Sequence, residues 1–351
     1  MDILIKNGYL IDPGSGKEGK FDILISKGVI EKISKNINKK AKKTIDAKGK
    51  IVSPGFIDLH AHLREPGRED EETIYTGSLS AVSGGFTTIC CMPNTDPPLD
   101  NKVAIRYIVD KGKEALCEVL PIGTITQKRE GEILSPYGEM VKEGAVGFSD
   151  DGNCVMNSLV MRRALEYTKL HGKVVISHSE DKNLAKNGVM NEGALSTKLG
   201  LRGIPREAEE IMIERDIRLA ILTGGLLHLA HITTEGGVFS LRRVKEKYKN
   251  ISGEVTVHHI TLTEDAVKGY NTNAKVSPPL RTQRDVDALI EGLKDGTIDC
   301  IVTDHAPHTE EEKEAGFENA PFGMIGFETA LPLILKLLDK GMKLRDILYK
   351  I

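Results

Sequence analysis

The sequence predicts an α/β protein: a (β/α)8 TIM-type barrel formed by residues 51–351, preceded by a small β-sandwich lobe to which residues 1–50 contribute strands. Eight apolar runs of strand length follow Ile51 and alternate with helical stretches, as in parallel sheets buried on both faces. The 351 residues, 40% of them hydrophobic, exceed the roughly 250 that such a barrel needs. Residues 1–50 show a different sequence pattern, in which short strand-like segments are interrupted by glycines.

The N-terminal lobe is predicted from three strand-like segments. Turn-forming glycines divide them at Gly8, Gly16, Gly28 and Gly49. The segments are ILIKNGYLID, DILISKGVIEKIS and KKTIDAKGKIVS. The change of pattern after residue 50 marks the predicted domain boundary.

The barrel is predicted from eight segments that read as buried strands. They are IVSPGFIDLH, TTICCMP, CEVLPIGT, GAVGFSD, KVVISH, LLHLAH, ISGEVTVHH and DCIVTD. Helical patterns lie between them; in residues 157–172, for example, apolar residues recur at helical spacing and Gly172 supplies a stop. Eight parallel strands joined in this way close into a barrel.

Composition limits the partners of the chain. The net charge is −3, from 48 basic and 51 acidic residues, so no basic excess favours nucleic acid or an anionic membrane. The N-terminus lacks the pattern of a signal peptide, and no apolar run has the length of a membrane span. We therefore expect a cytoplasmic protein with a small-molecule ligand.

The cysteines are predicted to be structural. They are odd in number, scattered and without CxxC spacing, which opposes a disulfide framework or a thiolate metal site. Three of them, Cys90, Cys91 and Cys300, are expected in buried strands. The other two are Cys117 and Cys154.

Histidines and carboxylates stand where the predicted strands end, the face of a barrel that carries its chemistry. The candidates are His60 and His62 on strand one, Asp151 on strand four, His178 on strand five, His231 on strand six, and Asp304 on strand eight, followed by His305 and His308. Residues two apart on a strand face the same way, so His60 and His62 can address one point. A single histidine in a protein is more often a structural residue than a metal ligand. Here, however, each of the four histidines stands where a predicted strand ends, and coincidence explains this poorly.

These ligand types suit zinc. Four histidines and two carboxylates exceed the needs of one tetrahedral ion, whereas two ions about 3.5–4 Å apart would use them all. We therefore expect two Zn²⁺ per subunit, bridged by Asp151 and a hydroxide.

Other polar residues receive supporting or structural interpretations. His171 is expected to end a helix, His228 to face away from the site, and His258 and His259 to give supporting hydrogen bonds. Asp58 is expected to orient a metal-binding histidine. The segment EDEETIY is interpreted as a solvated loop and helix start.

Eight motifs are spread along essentially the whole chain: DLHAHLREPG, MPNTDPP, GFSDDG, SHSED, GIPREAE, SPPLR, TDHAPH and APFGMIGFETALPL. Together they resemble those of the class I (bacterial-type) dihydroorotases of the amidohydrolase superfamily. The HxH pair alone would identify only the superfamily. HLREPG, GIPREAE and TDHAPH together are much more specific.

The resemblance implies a role for each matching residue. His60 and His62 would bind one zinc and His178 and His231 the other, with Asp151 between them; many relatives bridge with a carboxylated lysine, which strand four lacks. Asp304 would bind at the metal centre and move the proton. The substrate would be held by His62, Arg64, Asn94, His308 and the main chain of Phe322 and Gly323, and by Ser277 where the family carries asparagine.

The activity implied is reversible hydrolysis of (S)-dihydroorotate to N-carbamoyl-L-aspartate, the third step of pyrimidine synthesis. Three alternatives remain open: a hydantoinase or allantoinase, a silent homologue that partners aspartate transcarbamoylase, and a barrel with incidental histidines. A homodimer and association with a transcarbamoylase are candidate assemblies. Relatives continue beyond the position of Ile351 with strands that complete the lobe, so we expect unpaired edges, lower stability or self-association.

Overall fold

The chain forms two units of unequal size in the computed structural model, which describes residues 2–351. One unit contains the residues up to Phe56 together with Leu337–Ile351, and the other contains Ile57–Lys336. The boundary between the two units therefore lies after residue 56, whereas the sequence predicts a boundary after residue 50. The last residues of the chain also belong to the first unit.

The first unit is built on one five-stranded sheet. Its strands are β1 (Ile3–Asp12), β2 (Lys17–Ser26), β3 (Val29–Ser34), β4 (Lys43–Asp46) and β5 (Ile51–Val52). The order is β3-β2-β1-β4, with β5 also on β1. β1 runs antiparallel to β2 and parallel to β4 and β5. Leu4, Leu24 and Ile37 form a buried apolar cluster in this unit.

The second unit contains the barrel. Its strands are β6 (Phe56–Ala61), β7 (Phe86–Cys91), β8 (Glu118–Gly123), β9 (Gly147–Ser149), β10 (Val174–Ser177), β13 (Leu226–Leu229), β14 (Ile251–Thr256) and β15 (Cys300–Val302). They follow one another in chain order around the sheet. The last strand meets the first, because Asp304 N donates to His60 O (3.0 Å) and His62 N to His305 O (2.8 Å). A separate two-stranded pair, β11 (Met190–Asn191) and β12 (Gly203–Ile204), lies outside this sheet.

Helices lie between the barrel strands and after the last of them. They are α1 (Ile74–Ser83), α2 (Lys102–Gly112), α3 (Tyr137–Lys142), α4 (Ser158–Lys169), α5 (Ala194–Leu199), α6 (Glu207–Thr223), α7 (Glu235–Lys245), α8 (Gln283–Lys294), α9 (Glu310–Lys313), α10 (Phe327–Ile334) and α11 (Leu344–Tyr349), the last of them in the first unit. Most long helices begin at a side-chain cap, as where Asn157 accepts from the Leu159 and Val160 amides at the start of α4. Among residues 2–351, no helix is both long and apolar enough to cross a membrane.

The predicted barrel is confirmed, and all eight predicted segments contain a barrel strand. The first segment needs a correction, because the sequence predicts one strand over residues 51–60. Ile51–Val52 pairs with β1 in the first unit, and the barrel strand begins only at Phe56. Pro54 and Gly55 separate the two pieces, as expected of residues that interrupt a strand.

The cysteines are all free thiols. Cys90 and Cys91 are buried in β7, as predicted, and burial raises the pKa of each to about 12. Cys300 lies in β15 as predicted but is only partly buried, which corrects that expectation.

Candidate active site

Two groups of metal-ligating side chains meet at the C-terminal ends of the barrel strands. His60, His62 and Asp151 form one group, and Asp151, His178 and His231 form the other. Within each group, the candidate ligand atoms all lie within 4.8 Å of one another. Asp151 belongs to both groups, so one buried carboxylate joins them.

The strands bring these residues together as the sequence pattern requires. His60 and His62, two apart at the end of β6, place their ring centroids 5.3 Å from each other. Asp151 follows β9 and lies 3.5 Å from His60 Nε2 and 3.3 Å from His231 Nε2. His178 follows β10, and its Nδ1 is 3.5 Å from Asp151.

The donor set fits a metal ion. His60 Nε2 and His231 Nδ1 are buried without a hydrogen-bond partner, an arrangement that a buried polar atom normally avoids. His60 donates from Nδ1 to Glu254, and His62 from Nδ1 to Asn94 Oδ1 (2.7 Å). Because Nδ1 of each ring donates to these partners, Nε2 is the nitrogen of each ring that can bind a cation once it is deprotonated.

Charge is concentrated at this point of the barrel. Burial by itself would raise the pKa of Asp151, but the charge of His60 and hydrogen bonds from neighbouring histidines hold it well below its ordinary value. Burial opposes protonation of His60, yet Asp151, Glu254 and Asp304 raise the pKa of His60 well above its ordinary value. Because a ligand nitrogen must be deprotonated, a cation would take the place of a proton here.

Asp304 reaches the first of these groups from the end of β15. Its Oδ1 is 3.0 Å from His62 Nε2 and 3.6 Å from His60 Nε2, and its Oδ2 is 4.0 Å from His258 Nε2. Despite burial, which acts in the opposite sense, the charges of His60 and His62 keep the pKa of Asp304 below its ordinary value. Its backbone φ of +49° is unusual for a residue other than glycine and is a form of strain often found at functional sites.

Glu254 supports His60, and sequence reasoning missed it. Its Oε1 accepts from His60 Nδ1 at 2.6 Å and its Oε2 accepts from His228 Nε2 at 3.0 Å, while His228 Nδ1 lies 2.7 Å from Ser252 Oγ. His228 therefore does not simply face away, which corrects the sequence interpretation. A buried glutamate within a barrel strand was the available signal, because such a group needs a partner.

Asp58 and His259 are both expected from the sequence to support the site, and the structure shows the hydrogen bonds that each one makes. The Asp58 carboxylate accepts from Thr303 N (3.1 Å), from Thr303 Oγ1 and from the main-chain N of His60 (3.4 Å), so its contact with a candidate metal-binding histidine is to the main chain rather than to the imidazole. His259 forms the expected supporting bonds, with Nδ1 2.7 Å from Thr256 Oγ1 and Nε2 donating to Pro278 O at 2.9 Å. His258 contacts Asp304 as described above.

A second polar group lies beside the first. Arg64 Nε donates to Pro307 O (3.0 Å), and one terminal nitrogen of Arg64 lies 3.1 Å from His308 Nε2. The same nitrogen of His308 is 2.8 Å from Phe322 O. Asn94 connects this region to the metal-type groups through its bond with His62. The structure thus brings Arg64, His308 and Phe322 together.

Gly323 and Ser277 occupy the neighbouring loops. Gly323 N donates to Lys275 O at 2.9 Å, and its carbonyl accepts from Lys313 Nζ at 2.6 Å. Ser277 and Phe322 line one cavity of about 490 Å³, whereas Gly323 and His308 line another of about 810 Å³. In this structure the main-chain groups of Gly323 are therefore already paired.

The segment EDEETIY is not a solvated loop at its centre. The side chains of Glu71 and Glu72 are only 2% and 9% exposed. Glu71 contacts Arg64 and His308, and Glu72 contacts His305 Nε2 at 3.1 Å. The expectation of a solvated loop is wrong for these two residues. Nothing in the local sequence indicates that these two glutamates contact His305 and His308, which lie more than 230 positions away.

Fold and site together define an α/β-barrel enzyme of the amidohydrolase type. The family model described as Dihydro-orotase-like matches residues 49–236. A dihydroorotase of Caldanaerobacter subterraneus subsp. tengcongensis is 52% identical over 335 residues, covering 95% of this chain and 78% of the relative. One of Endomicrobium trichonymphae is 54% identical over 344 residues, 97% of this chain and 81% of the relative. The chain belongs to the dihydroorotase family.

Solved structures show the same fold. The L-hydantoinase (dihydropyrimidinase) from Arthrobacter aurescens matches with a TM-score of 0.86 and 25% identity, over 99% of this chain and 80% of its own. A D-hydantoinase from Thermus sp. matches with a TM-score of 0.78 and 24% identity, over 98% and 79%. Both support the barrel architecture.

Proposed function

We propose that this chain is a zinc-dependent dihydroorotase that catalyses reversible hydrolysis of (S)-dihydroorotate to N-carbamoyl-L-aspartate. The observation that carries the proposal is that two groups of metal-ligating residues, joined by Asp151, lie beside Arg64 and His308, which are in contact with each other. The metal-ligating groups suit hydrolysis of an amide, and Arg64 with His308 suits a substrate that bears a carboxylate. Relatives about 50% identical along most of the chain carry the name Dihydroorotase.

Zinc is the metal that the ligands favour. His60, His62, His178 and His231 offer imidazole nitrogen and Asp151 offers carboxylate oxygen, the ligand types of catalytic zinc sites. Zinc, when bound, lowers the pKa of water to about 7 and polarises a carbonyl group. The number of ions is tested by metal analysis, with two per chain expected.

Asp304 has the position of a group that moves the proton. Water adds to the ring amide carbonyl, and the carbon–nitrogen bond of that amide breaks. The Asp304 carboxylate takes one proton from the attacking water and delivers it to the departing nitrogen. The second proton of the water is released to solvent, so the products are a carboxylate, a ureido group and one proton. Reversal of these steps closes the ring.

Arg64, with His308 and Asn94, is proposed to hold the substrate carboxylate. A guanidinium presents a planar fork that matches a carboxylate, and a charge-assisted bond contributes about 1.5–3 kcal/mol. We predict that Arg64→Ala raises the Michaelis constant for dihydroorotate roughly 10- to 100-fold with little change in kcat. Steady-state kinetics at fixed zinc measure this, and an unchanged Michaelis constant would refute the role of Arg64.

The first experiment is ring opening of L-dihydroorotate by the purified protein loaded with zinc, followed by ultraviolet absorbance. Hydantoin and allantoin are assayed in parallel, and metal is determined on the same sample. Turnover of dihydroorotate alone supports the proposal. Turnover of hydantoin or allantoin in its place would favour the alternative suggested by the hydantoinase fold relatives.

The location and the assembly of the chain stay predictions. They are a cytoplasmic location, a homodimer and association with an aspartate transcarbamoylase. Analytical ultracentrifugation of the chain, alone and with a transcarbamoylase, tests the two assemblies.

A further inference from the structure

Glu71 contacts both Arg64 and His308. Its Oε1 lies 2.8 Å from His308 Nδ1, and its Oε2 lies 3.0 Å from Arg64 Nε. Its side chain is 2% exposed, so water does not compete strongly for these bonds. One carboxylate therefore fixes two groups that are far apart in the sequence, Arg64 after the first barrel strand, β6, and His308 after the last, β15.

These contacts determine which donors remain for a ligand. Arg64 Nε–H is directed toward Glu71 and Pro307 O, which leaves the terminal nitrogens at the other edge of the guanidinium. His308 Nδ1 is directed toward Glu71, which turns Nε2 toward Arg64 and Phe322 O. A terminal nitrogen of Arg64 and Nε2 of His308 are thus held 3.1 Å apart, so that one ligand carboxylate can contact both.

We propose that Glu71 is a positioning residue that orients Arg64 and His308 to bind the substrate carboxylate. The proposal rests on the function proposed above and adds a residue to it. Long, flexible side chains lose conformational freedom when they bind, and a group that fixes them beforehand lowers that cost. Glu71 acts through Arg64 and His308 and does not itself contact the substrate.

The negative charge of Glu71 suggests an alternative effect on substrate binding, with the opposite sign. A carboxylate beside the binding pair repels an anionic substrate, so by charge alone its removal would improve binding. Orientation predicts the reverse, because the amide introduced by Glu71→Gln would turn an N–H toward one of the two donors. The two explanations differ in the sign of the change in the Michaelis constant.

The test compares Glu71→Gln, Glu71→Asp and Asp70→Asn. Asp70 is the matched control: it lies in the same turn, is 57% exposed and pairs with Arg68. We expect Glu71→Gln to raise the Michaelis constant for dihydroorotate about tenfold and to leave kcat within about threefold. Asp70→Asn should leave both constants within about twofold of those of the wild type.

Glu71→Asp separates geometry from charge. It keeps the negative charge, but its shorter side chain cannot reach both donors, so orientation predicts a raised Michaelis constant and charge alone predicts the wild-type value. Melting temperature and zinc content are measured for every variant. The ¹⁵N resonance of Arg64 Nε–H adds a readout that does not depend on turnover, and it should shift or broaden in Glu71→Gln but not in Asp70→Asn.

An unchanged or lower Michaelis constant in Glu71→Gln, or an Arg64 resonance identical to that of the wild type, would overturn the role given to Glu71. Absence of dihydroorotate turnover in the wild-type chain would instead overturn the proposed function. The two failures are therefore distinguishable.

Discussion

Asp304 lies against the histidines that would hold the metal but belongs to neither three-residue group. We predict that Asp304→Asn keeps bound zinc and lowers kcat by about 10²- to 10⁴-fold, because an amide cannot take up the proton. Zinc content and single-turnover kinetics measure the two parts. Asp295→Asn, a change at a half-exposed carboxylate that pairs with Arg242, is the control. Near-normal turnover with two zincs bound would remove Asp304 from the mechanism.

Glu254 is expected to control metal affinity through His60. We predict that Glu254→Gln weakens zinc binding about 10- to 100-fold, since partners of this kind orient the ligand and raise its basicity. Competition with a chromophoric chelator measures the affinity without reference to activity. His228→Gln, which changes the other partner of Glu254, should weaken binding less, and equal affinity in all three proteins would contradict the argument.

The residues of the site could be predicted from the sequence where a local pattern, such as a position at the end of a predicted strand, indicated them. His60, His62, His178 and His231 stand at strand ends, and strand ends of a barrel converge. Glu254 and Glu71 could not be found in this way. Glu254 meets His60 across 194 positions and Glu71 meets His308 across 237, so only the closed barrel brings the partners together.

At the scale of elements, the turn after β6 and the turn after β7 are in close contact. Gly67 has a φ of +105°, and a Cβ at this position would lie 2.0 Å from Asp96 O. Asp96 N also donates to Pro66 O at 2.9 Å. These turns follow Arg64 and Asn94, so their contact affects the predicted substrate side chains.

We predict that Gly67→Ala lowers the free energy of unfolding by about 2 kcal/mol or more and raises the Michaelis constant, since it adds both a clash and backbone strain. Denaturant unfolding and steady-state kinetics measure the two effects. Gly296→Ala is the control: its φ is also positive, at +81°, but its Cβ would meet open space. Equal losses of unfolding free energy in the two variants would show that backbone strain, and not the clash with Asp96, causes the effect.

The strands were predictable because a buried parallel strand has a local signature of apolar residues. The division between β5 and β6 was not inferred, although Pro54 and Gly55 gave a signal. Which sheet a short strand joins depends on distant hydrogen bonds, here those of Ile51–Val52 with β1, and no local pattern encodes them.

At the scale of the whole molecule, metal should stabilise the chain without being required for its fold. A ligand at 100 times its Kd adds about 2.7 kcal/mol to stability. For a protein of this size, we predict that chelation lowers Tm by about 3–5 °C and that the barrel remains folded. Calorimetry at one scan rate, with and without chelator and after zinc is restored, measures this. An unchanged Tm would contradict it, and so would loss of the barrel signal in circular dichroism at about 25 °C.

The shared position of Asp151 also constrains how this centre can evolve. A lineage that came to need only one ion could lose His178 or His231 and still keep a complete group of three ligands at His60, His62 and Asp151. Substitution of Asp151 by a residue that cannot bind a metal would damage both groups in one step. Natural variation among one-metal descendants should therefore accumulate at the histidines after β10 and β13, while the aspartate after β9 stays under purifying selection.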